Sequence, residues 1–207
     1  MTILVGRRAP DFTASAVLAD GQIEDDFRLV DWIDGYYGVL FFYPLNFTFV
    51  CPSELIALDN RMSALSSLRA KVVAISIDSQ FNHAAFRDTC VDKGGIGEVR
   101  FPLVSDLQHK ISEAYGVQAL GEHSFYQMGV AMRATFVIDP KGIVRHQVVN
   151  DEPVGRNMDE ILRVIEALEH HDQNGRVCPA GWQKGQDGML PTRDGVAQFL
   201  GKYWSEL

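Results

Sequence analysis

Cysteine is scarce in this chain, with three in 207 residues: Cys51, Cys90 and Cys178. An odd, widely spaced set of this kind does not make a structural disulfide framework. No two of the three stand at metal-ligand spacing, and the His170-His171 pair has no cysteine near it, so a structural zinc site is not expected. Positive charge is in deficit too. Nineteen Lys and Arg against 27 Asp and Glu leave a net charge of -8 and a pI near 5.2. That balance argues against nucleic acid or an anionic membrane as the main partner. Nowhere does the chain approach the run of about 18 apolar residues that a membrane helix needs. The opening Met-Thr-Ile-Leu-Val-Gly-Arg-Arg lacks the charged-then-apolar order of a signal peptide. Internal repeats and low-complexity tracts are missing as well. The expectation is a cytoplasmic globular protein with no metal and no bound cofactor.

What is present is apolar: 46% of the residues are hydrophobic, enough for one domain with a full core and a C-terminal extension. Residues 36–43 form a continuous apolar run, the mark of a strand buried on both faces. Leu55, Leu58, Met62, Leu65 and Leu68 then recur at helical intervals and predict an amphipathic helix. Residues 71–78 predict a second buried strand, 82–93 a helix, 101–106 a short strand and 110–115 another helix, followed by a loop with Gly121 and Gly129. Residues 134–138 and 143–149 flank the turn Asp139-Pro-Lys-Gly142 and predict a β-hairpin. Residues 157–170 predict a final regular helix. This order predicts an α/β fold, a sheet with helices on both faces. From Asp172 onward glycine and proline dominate, so the expected division is a domain over 1–171 and a loop-rich arm over 172–207.

Cys51 carries the chemistry. It stands where an apolar strand, passing through a proline-containing turn, gives way to a helix. Only a thiolate is a good nucleophile, and a thiol of ordinary pKa (~8.5) is mostly protonated at neutral pH. The unpaired N–H groups and positive dipole end of a helix favour the anion, and Pro52 suits the first helical turn. A thioredoxin-type disulfide oxidoreductase would carry C-x-x-C here, but the motif reads Cys51-Pro-Ser-Glu54. Any second thiol must come from far away in sequence.

Pro44, Thr48 and Cys51 follow the spacing P-x-x-x-T-x-x-C, and with it the sequence resembles the typical two-cysteine peroxiredoxins. Phe47-Thr-Phe-Val-Cys-Pro-Ser-Glu54 is similar to that family's peroxidatic loop. Met132-Arg-Ala-Thr-Phe-Val-Ile-Asp139 is similar to the strand that brings in an arginine. Val177-Cys-Pro-Ala-Gly-Trp182 is similar to the resolving-cysteine segment, and Ala9-Pro-Asp-Phe12 to the N-terminal strand. The likeness spans essentially the whole chain.

The resemblance implies a thioredoxin-like fold, a central mixed sheet flanked by helices, and a thiol peroxidase acting on hydrogen peroxide and organic hydroperoxides. It implies that Cys51 is the peroxidatic nucleophile, that Thr48 hydrogen-bonds the peroxide, that Arg133 stabilises thiolate and leaving oxygen, and that Pro44 shields the site. Glu54 and Arg156 would support it as an ion pair. Cys178 would resolve the sulfenic acid of Cys51 in a partner subunit of a homodimer, with five dimers forming a decamer ring. Thioredoxin, or a flavoprotein disulfide reductase, would reopen the disulfide.

Each role has a plainer competitor: a buried structural thiol for Cys51, a helix cap for Thr48, a surface charge for Arg133, solvated charges for Glu54 and Arg156, a free surface thiol for Cys178. Cys90, in a helical pattern, reads as a small core hydrophobe. Gly94-Gly95-Ile96-Gly97 resembles the glycine motif of peroxide-sensitive members, although a helix C-cap explains it equally, and the tail offers Tyr203-Trp204 in place of Tyr-Phe. If that tail covers Cys51, deleting residues 196–207 makes the enzyme more resistant to high peroxide. Asn46 replaces an acidic residue common before Phe-Thr-Phe, and Ser53 replaces a common Thr. Two rival readings are a ring-shaped holdase chaperone and a one-cysteine peroxidase in which Cys178 is a bystander.

Overall fold

The computed structural model describes residues 2–119 and 129–205; the expected loop glycine Gly121 lies outside them. The chain divides into two compact units, Met1–Met158 and Asp159–Leu207.

The first unit is built on a seven-stranded sheet. Its strands are β1 (Thr13–Val17), β2 (Ile23–Arg28), β3 (Tyr37–Phe42), β4 (Ala70–Ser76), β5 (Leu103–Ser105), β6 (Arg133–Ile138) and β7 (Val144–Asn150). They lie in the order β2-β1-β5-β4-β3-β6-β7. β3 pairs parallel with β4 and antiparallel with β6, and β4 pairs parallel with β5. Every residue of β3 and β6 is buried. That is why Tyr-Gly-Val-Leu-Phe-Phe is unbroken by polar residues: neither face of a central strand reaches water. Each Leu or Phe so buried contributes about 1.5–3 kcal/mol. Phe42, Tyr115 and Phe136 meet at ring-centroid distances of 5.0–5.8 Å in the main core.

The helices of this unit are α1 (Leu29–Trp32), α2 (Cys51–Asp59), α3 (Met62–Ser67), α4 (Gln80–Asp88) and α5 (Lys110–Ala114). The hairpin forms as expected. Asp139 Oδ1 accepts the amides of Lys141 and Ile143, and Gly142 takes the φ of +80° that closes the turn.

Four local expectations are corrected. The single helix through Leu55 and Leu68 breaks at Asn60 and Arg61 into α2 and α3, and apolar spacing continues across the break because both pieces bury the same side. The helix after residue 82 ends at Asp88, and a 3-10 turn, Val91–Lys93, follows. Cys90 falls between them and is exposed, so it is no core residue. Lastly, Ala9-Pro-Asp-Phe12 precedes the N-terminal strand, which starts at Thr13; Pro10 lacks the N–H that a ladder position uses.

The second unit contains α6 (Met158–Asn174) and α7 (Arg193–Tyr203). Between them the backbone of Val177 pairs with Met189 at 2.9 and 3.0 Å. Trp182 is almost fully buried, packs tilted against His170 at 5.0 Å between ring centroids and donates its indole N–H to the Gln186 carbonyl. Thr192 caps α7 by accepting the Gly195 amide.

Candidate active site

α2 begins at Cys51 itself, with Pro52 in its first turn and no side-chain cap on Val50. The amides of that turn are therefore left for an anion. Cys51 is fully buried. One full turn along the same helix face stands Glu54, also buried. β6 runs beside β3 and places Arg133, its first residue, opposite this helix start. Position in sequence suggested a surface charge; Arg133 is instead 1% exposed. Its Nη1 lies 3.3 Å from Cys51 Sγ and donates to Glu54 Oε2 at 3.0 Å. Its Nε donates to the Glu152 carbonyl, and its Nη2 lies 3.9 Å from Glu152 Oε1.

Arg156 completes the cluster. It grips Glu54 through its backbone amide and Nε to Oε1 (2.8 and 2.9 Å) and through Nη2 to Oε2 (2.9 Å). Its Nη1 donates to the carbonyls of Phe42 and Ala134, at the ends of β3 and β6. The guanidinium lies 3.4 Å over the Phe41 ring. The expected Glu54–Arg156 pair is thus present, and it is buried. Burial alone would push the Glu54 carboxyl up. The hydrogen bonds and charge of Arg156, joined by Arg133, outweigh it and hold the group below the usual carboxylate range. Burial also works against the Arg133 cation, but Cys51 and Glu54 beside it leave its pKa raised.

The loop from Tyr43 to Val50 delivers Cys51. Pro44 is buried at its start. Thr48, half-buried, donates its hydroxyl to the Leu45 carbonyl at 2.9 Å, so it ties the loop to itself and does not cap α2. Phe47 takes φ +52°, costly for a non-glycine residue, and packs on Phe86 at 4.7 Å.

Beneath the loop lies a buried polar network that the sequence did not reveal: Tyr43, Asn46, Ser76, Asp78 and His83. Asp78 accepts the Asn46 amide and the Ser76 hydroxyl at 2.9 and 2.7 Å. The one available signal was the α4 pattern, in which His83 shares a face with Phe86 and Arg87. Burial raises Asp78, whose hydrogen bonds from Ser76 and Asn46 only partly offset it, and lowers His83 to about 4.

Cys178 belongs to the second unit. It is half-buried, with Sγ 3.5 Å from the Ala167 carbonyl of α6. Burial pushes its thiol up, and the charge of Arg163 opposes that rise. Gly94 caps the 3-10 turn at φ +84°, the helix-cap role. Tyr203 donates to Asp187 at 2.5 Å. Among the described residues no His, Cys, Asp and Glu cluster could hold a metal ion, and no helix is long and apolar enough to cross a membrane.

Comparison with known proteins adds the following. The model of the AhpC/TSA family matches residues 5–147, and that of the C-terminal domain of 1-Cys peroxiredoxin matches residues 167–204. The chain is 46% identical over 202 residues to alkyl hydroperoxide reductase C of Buchnera aphidicola subsp. Schizaphis graminum, covering 98% of this chain and 99% of that protein. It is 44% identical over 199 residues to peroxiredoxin-2 of Macaca fascicularis, covering 96% of each. It resembles the solved structure of reduced 2-Cys peroxiredoxin from Plasmodium vivax with a TM-score of 0.90 and 43% identity, covering 97% of this chain and 100% of that one.

Proposed function

The chain belongs to the AhpC/TSA family and is a peroxiredoxin, a thiol-dependent peroxidase; from that premise we propose that Cys51 is its peroxidatic residue and Cys178 its resolving one. The observation that carries this reading is the 3.3 Å approach of Arg133 Nη1 to a fully buried Cys51 Sγ at a helix start.

In this reading the Cys51 thiolate attacks one peroxide oxygen. The S–O bond forms as the O–O bond breaks, the sulfur is oxidised to sulfenic acid, and the other oxygen leaves as alkoxide or hydroxide, which takes a proton to become alcohol or water. Arg133 faces the charge on sulfur and on the departing oxygen, a cation fixed where negative charge develops. Thr48 turns its hydroxyl proton to Leu45 and so leaves Oγ1 as an acceptor for the proton of ROOH. Pro44 keeps water from the loop side. Glu54 and Arg156 hold Arg133 in place. The Cys178 thiol of a partner subunit then attacks the sulfenic sulfur, forming the Cys51–Cys178 disulfide and releasing water. Thioredoxin, or a flavoprotein disulfide reductase, returns both sulfurs to thiols by exchange. Residues 1–171 serve as the peroxidase domain and 172–207 as the arm that presents Cys178. The working form is a cytoplasmic homodimer, assembled as a decamer of five dimers.

The test is non-reducing gel electrophoresis after one equivalent of hydrogen peroxide. A disulfide-linked dimer that is lost in both Cys51→Ser and Cys178→Ser supports the reading. A dimer that persists in Cys178→Ser overturns it.

A further inference from the structure

Asn46 is a buried side chain with every polar group matched. Its Oδ1 accepts the Tyr43 hydroxyl at 2.8 Å. Its Nδ2 reaches Asn82 Oδ1 at 3.3 Å and His83 Nδ1 at 3.1 Å. Its backbone amide donates to Asp78 Oδ2 at 2.9 Å. On the far side of the imidazole, Nε2 sits 3.1 Å from the Val104 carbonyl of β5. Only one proton arrangement satisfies all of these. The carbonyl can only accept, so Nε2 carries the hydrogen; Nδ1 is then a bare acceptor, and the Asn46 amide donates to it. A proton on Nδ1 would set two donors face to face.

The position of this residue gives the match its importance. Asn46 lies midway along the loop that runs from Pro44 to Thr48 and on to Cys51. The next residue, Phe47, is held at a positive φ. A strained conformation of this kind persists only where its surroundings enforce it. Thr48 bonds back to Leu45, so residues 45 and 48 are tied together, and the attachments of this segment to the rest of the unit include the four partners of Asn46. The mechanism proposed above uses none of them.

Resting on that mechanism, we infer that Asn46, seated on a neutral His83, is a positioning residue for peroxide reduction: it fixes the loop that sets Pro44 and Thr48 against Cys51. The groups around His83 are consistent with a ring that stays neutral. The loop start just after β3 contributes the Tyr43 hydroxyl at 3.3 Å, whose pKa burial raises well above the ordinary value, with the charges of Asp78 and Cys51 adding to the rise. β5 offers only a carbonyl. On α4 itself, the Arg87 guanidinium turns to the carbonyls of Val99 and Ala19. The ring's partners among the described residues are Tyr43, Asn46 and Val104, none of them a carboxylate, and burial leaves its proton affinity low.

Asn46→Asp tests this with its own internal control. The introduced carboxyl has the shape of the amide but lacks its donor. One proton, either on that carboxyl or on His83 Nδ1, restores a donor–acceptor match; without it two acceptors face each other. An acidic residue is common at this position in the family, and a buried carboxylate beside the imidazole holds that proton, so the variant keeps a matched anchor from pH 5 to 8 where Asn46→Ala has none. The readout is the rate of Cys51 sulfenic acid formation with hydrogen peroxide in the reduced full-length protein, quenched and measured by mass spectrometry. Each variant is compared with wild type at the same pH, and the Cys51 ionisation of each is titrated so that differences in thiolate fraction are divided out. We expect Asn46→Ala to be at least about tenfold slower at every pH, by analogy with the loss of a positioned catalytic geometry. We expect Asn46→Asp to stay within about threefold of wild type from pH 5 to pH 8, rescuing most of the loss seen in Asn46→Ala, since one shared proton restores the donor–acceptor match. An Asn46→Ala rate within twofold of wild type, or an Asn46→Asp rate as slow as that of Asn46→Ala, overturns the inference. A wild-type protein that forms no sulfenic acid at Cys51 defeats the peroxidase reading itself.

Discussion

Glu54 and Arg156 are joined by three hydrogen bonds of 2.8–2.9 Å, and both side chains are 2% exposed. The pair fixes the start of α2 to the ends of β3 and β6, because Arg156 also donates to Phe42 and Ala134. Glu54 in turn holds Arg133 by the same nitrogen that faces Cys51. Breaking a buried pair from one side leaves an uncompensated charge. Glu54→Gln should lower the unfolding free energy by about 3 kcal/mol, read from the urea midpoint, and slow Cys51 oxidation. An unchanged midpoint contradicts the account.

Arg133 should act on rate more than on fold. Arg133→Met keeps the aliphatic bulk in a buried site but removes the cation. Losing a preorganised donor of developing charge typically costs about 100-fold, so Cys51 oxidation by hydrogen peroxide should slow by that order. The check is the rate constant in the reduced variant. A loss below about fivefold removes Arg133 from the chemistry.

Acid should weaken the first unit in two stages. His83 has its folded pKa depressed from 6.5 to about 4. The unfolded chain therefore binds the extra proton first, and stability is lost as pH falls from 6.5 toward 4, by up to about 3 kcal/mol. Glu54, also depressed, contributes stability that is present above the ordinary carboxylate range and is lost at lower pH still. Asp78 is raised and acts in the opposite sense, favouring the folded state as it takes up its proton. Urea titrations between pH 7 and 4 should show a falling midpoint, and His83→Gln should flatten the upper part of that fall. An equal slope in the variant assigns it elsewhere.

In the proposed cycle Cys178 resolves the sulfenic acid. With Cys178→Ser, Cys51 should still take up oxygen from peroxide while thioredoxin-driven turnover disappears, followed as peroxide-dependent NADPH consumption. Undiminished turnover makes Cys178 a bystander and favours the one-cysteine reading.

The parts of this structure that the sequence made legible are those where one requirement dominates. β3 and residues 72–75 of β4 show as apolar runs because burial on both faces favours apolar side chains. Cys51 stands out because proline, threonine and cysteine at fixed spacing have few other uses. β2 stayed hidden, since Ile-Glu-Asp-Asp-Phe-Arg buries only Phe27 and lies at the sheet edge. Helical periodicity runs past Asp88 to Cys90, where the backbone has already left the helix and the thiol is exposed. The burial of Arg133 depends on strand pairing: the register of β6 against β3 sets it beside Cys51, and no local pattern encodes that. The network of Asn46 and His83 is likewise a long-range meeting of short polar residues, each ordinary alone.

The most direct test places one equivalent of hydrogen peroxide on the reduced Cys178→Ser protein and locates the product by peptide mass spectrometry. The account predicts a single added oxygen on Cys51, with Cys90 unmodified and no uptake once Cys51→Ser is added. Oxygen on Cys90 at equal yield, or none on Cys51, would contradict it.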